Sequence, residues 1–197
     1  IVKGLKKEAR EITNSLLQNN TPLEIVDKYI IPALNIVGEN YEKGIIFLPQ
    51  LLLSAETATV AFDIIKENVK ADETTVKGEI IIATVKGDVH DIGKNIVKVI
   101  LQNYGYKVFD LGKDVSPQAI LKKVIEVNCK LVGLSALMTT TVPAMEKTIK
   151  LIKEQHPQTK IMVGGAVLNV EYAKMIGADR YAKDAMEAVR FAQEIFS

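Results

Sequence analysis

Glu79-Ile-Ile-Ile-Ala-Thr-Val85, followed by Lys86-Gly-Asp-Val-His-Asp-Ile-Gly-Lys-Asn95, is the stretch that decides the fold. A β-branched run breaks into a glycine-bounded loop, and a helix of amphipathic period follows from Gly93 to about Tyr104. The unit then repeats. Strands over Lys107–Leu111, Leu131–Leu134 and Lys160–Val163 are followed by helices over Pro117–Val127, about Pro143–Gln155 and Asn169–Ile176. A short strand at Arg180–Tyr181 and a helix over Asp184–Phe196 complete the series. Short apolar strands alternating with helices predict a parallel sheet covered on both faces, joined by right-handed crossovers. Such sheets bind ligands beyond the carboxyl ends of their strands, near the point where strand order reverses. The loops after the first, third and fourth strands are therefore the places to look.

Upstream the period is helical. Leu5, Ala9, Ile12 and Leu16 form one stripe. Thr21-Pro22 starts a second helix that Pro32 ends near Ile31. A third runs from about Pro32 to Tyr41, carrying Leu34 and Val37, and Gly44 ends it. A fourth runs from Leu48 to Val69, with Leu51, Leu52, Ala55, Thr59, Phe62 and Ile65 as its buried positions. The polar segment Lys70–Thr75 reads as a linker. The fold class is α/β: an N-terminal four-helix bundle over residues 1–72, then a doubly wound, mostly parallel five-stranded Rossmann-like (flavodoxin-like) sheet over 76–197.

Composition excludes several classes. With 25 basic against 24 acidic side chains in 197 residues, the chain lacks the basic excess of a nucleic-acid binder. An apolar content of 48% is too high for disorder. No apolar run approaches the roughly 18–20 residues of a membrane span, and no signal peptide opens the chain. The single cysteine, Cys129, excludes an internal disulfide and a cysteine-cluster zinc site, and a cytoplasmic setting follows as the default. The chain begins with Ile, which reads as a piece of a longer protein.

His90, one of only two histidines, lies in the loop after the first strand between Asp88 and Asp91. A ligating histidine commonly donates its second ring N–H to a carboxylate, and Asp88 is within reach. A loop histidine with two helix-capping aspartates is the other reading. The glycines at 87 and 93 make no GxGxxG pattern, which disfavours a nicotinamide cofactor. Zinc at Asp88, His90 and Asp91 has poor geometry for three ligands so close in sequence. After the third strand, Ser135, Thr139, Thr140 and Thr141 crowd the loop as hydrogen-bonding groups for a polar ligand, with capping by Thr140 or Thr141 as the other reading. Gly164-Gly165, after the fourth strand, is either a tight turn or a gap free of side chains. His156 reads as a helix-end residue, solvated or on the dipole, and Cys129 as a small apolar filler.

Asp88-x-His90-x-x-Gly93, then Ser135-x-Leu137, then Gly164-Gly165, in this order and on these loops, resembles the cobalamin-binding domain of methyltransferases and mutases. The first half, notably Gly44–Glu56, is similar to the helical cap that precedes this domain in methyltransferases such as methionine synthase and the corrinoid proteins of methanol and methylamine systems. The resemblance implies cobalamin, as methylcobalamin, bound base-off and His-on. His90 is then the cobalt ligand, with Asp88 and Thr141 continuing a proton relay. The implied cofactor contacts are Asp88, His90, Asp91, Ile92, Gly93, Ser135, Leu137, Thr139, Gly164 and Gly165, with the displaced nucleotide in a slot beside the glycines. Consecutive apolar residues after Gly44 cannot all face a bundle core, so Phe47 and Leu51 are expected to face the corrin. The implied function is a methyl carrier, not catalytic alone, serving methyl-donor and methyl-acceptor domains or subunits, with no nucleic-acid or membrane partner. The methionine synthase type, with homocysteine as acceptor, is the leading form. A stand-alone corrinoid protein and a cobalamin-dependent sensor are the alternatives.

Overall fold

A computed structural model of the chain describes residues 1–68 and 76–197. These residues fall into two compact units that divide between Thr75 and Val76. The linker expected at 70–75 lies outside the described residues.

The first unit contains α1 (Lys6–Leu16), α2 (Pro22–Ile25), α3 (Ile31–Glu42) and α4 (Leu48–Asn68). Thr21 and Glu24 close a reciprocal cap at the start of α2: Thr21 N–H donates to Glu24 Oε2 at 3.0 Å and Glu24 N–H to Thr21 Oγ1 at 3.3 Å. The four expected helical segments are present, but α2 and α3 are not separated. A π-helical turn, Val26–Ile30, joins them with helical dihedrals at both flanking residues. Pro32 has no N–H to give and its ring crowds the preceding turn. The wider π turn absorbs that misfit without breaking the helix.

Ala9 and Thr13 are the buried positions of α1, whereas Leu5 and Ile12 are 45% and 58% exposed. The expected stripe is thus wider than the surface that covers it. Its uncovered side lines, with Val2, Leu16 and Tyr29, an open groove of about 330 Å³. On α4, Leu51, Ala55, Ala58 and Ile65 are buried. Thr59 is exposed and back-bonds to Ala55 O at 3.0 Å. By length and composition the window Leu48–Ile65 could cross a membrane. The interspersed polar residues hide that window from a search for unbroken apolar runs. Its near-zero exposure at Ala55, Ala58 and Ala61 gives the apolarity another use, a helix core packed on α1 and α3.

The second unit runs β1 (Glu79–Thr84), α5 (Ile92–Asn103), β2 (Lys107–Asp110), α6 (Pro117–Glu126), β3 (Leu131–Ser135), a 3₁₀ turn (Thr139–Thr141), α7 (Val142–Gln155), β4 (Lys160–Gly164), α8 (Val170–Met175), β5 (Arg180–Tyr181) and α9 (Ala185–Phe196). The strand order is β2-β1-β3-β4-β5 and every pairing is parallel. Period-two alternation sends Ile81, Ala83, Val132, Leu134, Ile161 and Val163 into one core with α6 and α7. The alternate residues face the other side, which α5 and α9 cover. The order reverses between β1 and β3, so the crevice beyond their carboxyl ends is where this fold accepts a ligand.

Candidate functional site

Asp88 organises that crevice. It is fully buried, and its backbone N–H donates to Val85 O at 3.0 Å as the chain leaves β1. Asp88 Oδ1 accepts from His90 N–H at 3.0 Å and lies 2.9 Å from His90 Nδ1. Asp88 Oδ2 accepts from Leu137 N–H at 2.7 Å, Met138 N–H at 3.3 Å and Thr141 Oγ1 at 2.9 Å. One carboxylate thus ties the loop after β1 to the loop after β3. Burial alone pushes its pKa up, but the donors from His90, Leu137 and Thr141 outweigh that and hold it well below the usual carboxylate range. Asp88 is therefore ionised throughout the neutral range.

An ionised Asp88 fixes the tautomer of His90. Nδ1 carries the proton toward the carboxylate, and Nε2 presents its lone pair outward. The His90 side chain is 47% exposed, and Nε2 has no hydrogen-bond partner among the described residues. Thr141 is buried at the N-cap of α7, yet its hydroxyl makes no cap. It turns to Asp88 and to Met138 O at 2.8 Å, two acceptors for one proton. Asp91 makes no side-chain cap on α5 either. The capping reading of these aspartates is thus displaced, and the first turn of α5 stays open.

Gly93, exposed in that first turn, has nothing within 4 Å of where a Cβ would stand. Ile92 is 79% exposed and Leu137 42%, so an apolar rim flanks His90. Ser135 is half-buried at the end of β3, and Thr139 is exposed in the 3₁₀ turn. Gly164 pairs with Ser135 in register. Gly165 behaves differently from an open gap. Its φ is +132°, and a Cβ there would stand 1.8 Å from Ala136 O. The place a side chain would take is already filled by the β3 loop's backbone, so packing requires glycine at 165. Phe47, in the first unit, is 67% exposed, whereas Leu51 is 3% exposed and offers no open surface.

Two sets of contacts at this end have no counterpart in the sequence reading, which took Asp110 only as a residue at the ligand end of the second strand. Asp114, at φ +56°, accepts from Gly87 N–H at 2.8 Å and pairs with Lys86, and its own N–H donates to Asp88 O at 2.9 Å. Lys94 is buried and pairs with Asp110, whose carboxylate also takes Lys98 at 3.1 Å and Gly112 N–H at 2.9 Å. Asp110 is thereby committed to α5. Neither set of ion pairs has a local signal in the sequence, since the charged partners are 12 to 28 residues apart.

Among the described residues no cluster of three or more His, Cys, Asp or Glu could hold a metal ion. A metal approached by His90 must then bring most of its own ligands. A cofactor that encloses its metal in its own ligands would meet that condition, and Gly93 leaves bare backbone in the loop that carries His90.

Residues 78–190 match the B12 binding domain family, and residues 1–66 match a second family of the same description, B12 binding domain. The chain belongs to the B12-binding family. It is 43% identical over 177 residues to dimethylamine corrinoid protein 2 of Methanosarcina acetivorans, covering 88% of this chain and 82% of the relative. Trimethylamine corrinoid protein 1 of the same organism is 38% identical over 172 residues, covering 85% and 80%. Among solved structures, a chain of the methanol:cobalamin methyltransferase complex of Methanosarcina barkeri superposes with a TM-score of 0.86 at 29% identity, covering 99% of this chain and 76% of that one. A cobalamin-binding protein of Desulfitobacterium hafniense superposes at 0.82 with 30% identity, covering 96% and 91%. The cofactor of this B12-binding protein is cobalamin, with its cobalt. These relatives are corrinoid proteins, not methionine synthases, and the expectation of a methionine synthase module is corrected accordingly.

Proposed function

We propose that this protein is a stand-alone corrinoid methyl carrier of a methylamine or methanol methyltransferase system. The observation that carries the reading is His90: Nδ1 held by a buried carboxylate, Nε2 unpartnered and outward, at the switch point of the sheet. The named relatives favour a methylated amine as methyl source, and the likeness to a methanol:cobalamin methyltransferase chain favours separate subunits for donor and acceptor chemistry. Residues 1–72 are read as the cap domain and 76–197 as the cobalamin domain. Phe47 is the first unit's candidate for contact with the corrin.

Cobalamin, when bound, would supply a cobalt able to accept and donate a methyl group. The chain's own residues hold and tune it. His90 Nε2 would hold the cobalt, with Asp88 keeping Nδ1 protonated and the ring oriented. Asp88, 2.9 Å from Nδ1, holds the imidazole ring in place whether or not Nε2 is engaged. Thr141 Oγ1 rotates its one proton between Asp88 Oδ2 and Met138 O, so the carboxylate can change its hydrogen bonding without a backbone shift. Gly93 and the Ile92–Leu137 rim give apolar, side-chain-poor surface to the macrocycle. The reading places the protein in the cytoplasm, in keeping with the buried free thiol of Cys129.

The test is the absorption spectrum on mixing with methylcobalamin, wild type against His90→Gly. The wild type is expected to show base-off, histidine-ligated cofactor, and the variant base-off cofactor without the histidine. Identical spectra remove His90 as ligand. Methyl transfer to the loaded protein from dimethylamine, in the presence of a dimethylamine methyltransferase, tests the donor class.

A further inference from the structure

Between β1 and α5 the chain runs from Lys86 to Asp91 without helix or strand, and His90 stands on that loop. The ring is held only as steadily as the loop beneath it. On the β3 side the Asp88 carboxylate ties the loop down. On the β2 side, beyond the bridge between Val85 and Val115, the contacts come from Asp114. Asp114 Oδ1 accepts from Gly87 N–H at 2.8 Å and lies 3.0 Å from Lys86 Nζ, and Asp114 N–H donates to Asp88 O at 2.9 Å. Lys86, Gly87 and Asp88 thus lie in succession against one aspartate.

Gly87 is the weak joint of this loop. Its φ is +86°, and without a Cβ it can leave that conformation more readily than another residue could. A swing there would carry Asp88 and His90 with it. The Asp114 carboxylate, by taking the Gly87 N–H, fixes the peptide plane that enters the joint. Asp114 itself stands at φ +56°, in the left-handed region that favours glycine, whereas two residues earlier the same turn uses Gly112 at φ +89°. If position 114 served the turn alone, glycine would serve there without strain. What glycine cannot supply is the carboxylate.

We propose that Asp114 is a positioning residue for His90: its carboxylate pins Gly87, the joint between β1 and Asp88, and so sets where His90 Nε2 stands. The inference rests on the cobalamin-carrier reading above. It divides the support of His90 between two loops, with the β3 loop holding the ring's carboxylate partner and the β2 loop holding the backbone that bears it.

The experiment is a double-mutant cycle with His90→Gly, read by methylcobalamin affinity, beside amide hydrogen exchange of the cofactor-free protein. Asp114→Gly keeps the positive φ unstrained and removes only the side chain. It is expected to speed exchange of the Gly87 and His90 N–H groups at least about threefold, with the circular dichroism of the fold unchanged. It should weaken methylcobalamin about threefold where His90 is present, and not at all in the His90→Gly background. Asp114→Asn tolerates the same φ and keeps an acceptor for Gly87, so it should behave as wild type. An equal loss of affinity in both backgrounds overturns the proposal, since it marks a loop contact that His90 does not feel. So does an Asp114→Gly variant with unchanged affinity or unchanged exchange, or an Asp114→Asn variant as weak as Asp114→Gly. In each of these outcomes the wild type still gives its histidine-ligated spectrum. A wild type whose cobalamin spectrum matches that of His90→Gly removes the carrier reading, and this one with it.

Discussion

The two histidines of this chain sit at opposite ends of one sheet and obey opposite rules. His156, at the C-cap of α7 near the amino ends of the strands, is 9% exposed. Its Nδ1 is 2.7 Å from Thr159 Oγ1, which in turn donates to Cys129 O at 2.7 Å. Gln158 Nε2 lies 2.8 Å from His156 Nε2. The directions close only one way: Gln158 donates to Nε2, and Nδ1–H donates to Thr159. Every polar atom of the ring is used, and the loops before β3 and β4 are tied together. His90, at the carboxyl end, uses Nδ1 alone and leaves Nε2 to solvent. Burial obliges a histidine to spend both nitrogens on the fold; a loop at the ligand end leaves one for chemistry.

The contrast can be broken, starting with the largest effect. Gly165→Ala forces a methyl group toward Ala136 O at a φ that alanine resists, and should cost at least about 4 kcal/mol. Urea unfolding measures it, and a substitution tolerated there means the carboxyl-end loops are looser than their contacts imply. Asp88→Asn retains the shape but opposes backbone N–H groups with an amide, and should cost about 3 kcal/mol at neutral pH. Its pH dependence carries a sign. Asp88 is held below the ordinary range, so its stabilisation is full above the unfolded value of about 3.9 and fades as pH falls below it. Asp88→Asn should therefore flatten the acid limb of stability between pH 5 and the lowest pH at which the wild type stays folded, taking about 5 as the point where unfolded Asp is mostly ionised. His156→Ala should cost about 2 kcal/mol, with the spectrum of bound cobalamin unchanged. His90→Ala should change stability by less than about 0.5 kcal/mol, while the histidine-ligated spectrum disappears. The sharpest failure is a reversal of the last two, with His156 moving the spectrum and His90 the stability.

Much of the frame was legible. The repeated strand and helix runs from Glu79 onward placed each element of the second unit within about two residues, because short apolar strands and amphipathic helices carry opposite periods. His90 and Asp88 were legible as a pair because they stand close together in one loop. Thr141 entered as a partner of Asp88 only through the family resemblance; Leu137 and Met138, 49 and 50 residues away, did not enter as its partners at all, since a carboxylate satisfied by distant backbone N–H groups leaves no local pattern. Pro32 read as a helix stop because local rules do not anticipate a π turn that absorbs it. Gly164-Gly165 read as either a tight turn or a gap free of side chains; that a Cβ at Gly164 would stand 3.2 Å from Ala182 O, and one at Gly165 would meet Ala136 outright, needs the neighbouring strands to be known. Thr84 passed as one more β-branched strand residue; its unpaired hydroxyl is visible only once neighbours are known.

The sheet's margins have a further consequence. The edge strands β2 and β5 have only four and two residues, and Lys107 and Arg180 on them are held in ion pairs with Glu79 and Glu187. Long bare edges recruit strands from other chains and seed aggregation. With Val89, Ile92 and Leu137 exposed beside the carboxyl ends of the strands, the domain does not hide all its apolar surface. Short, charged margins keep the sheet's edges from adding strand pairing between copies to that apolar exposure.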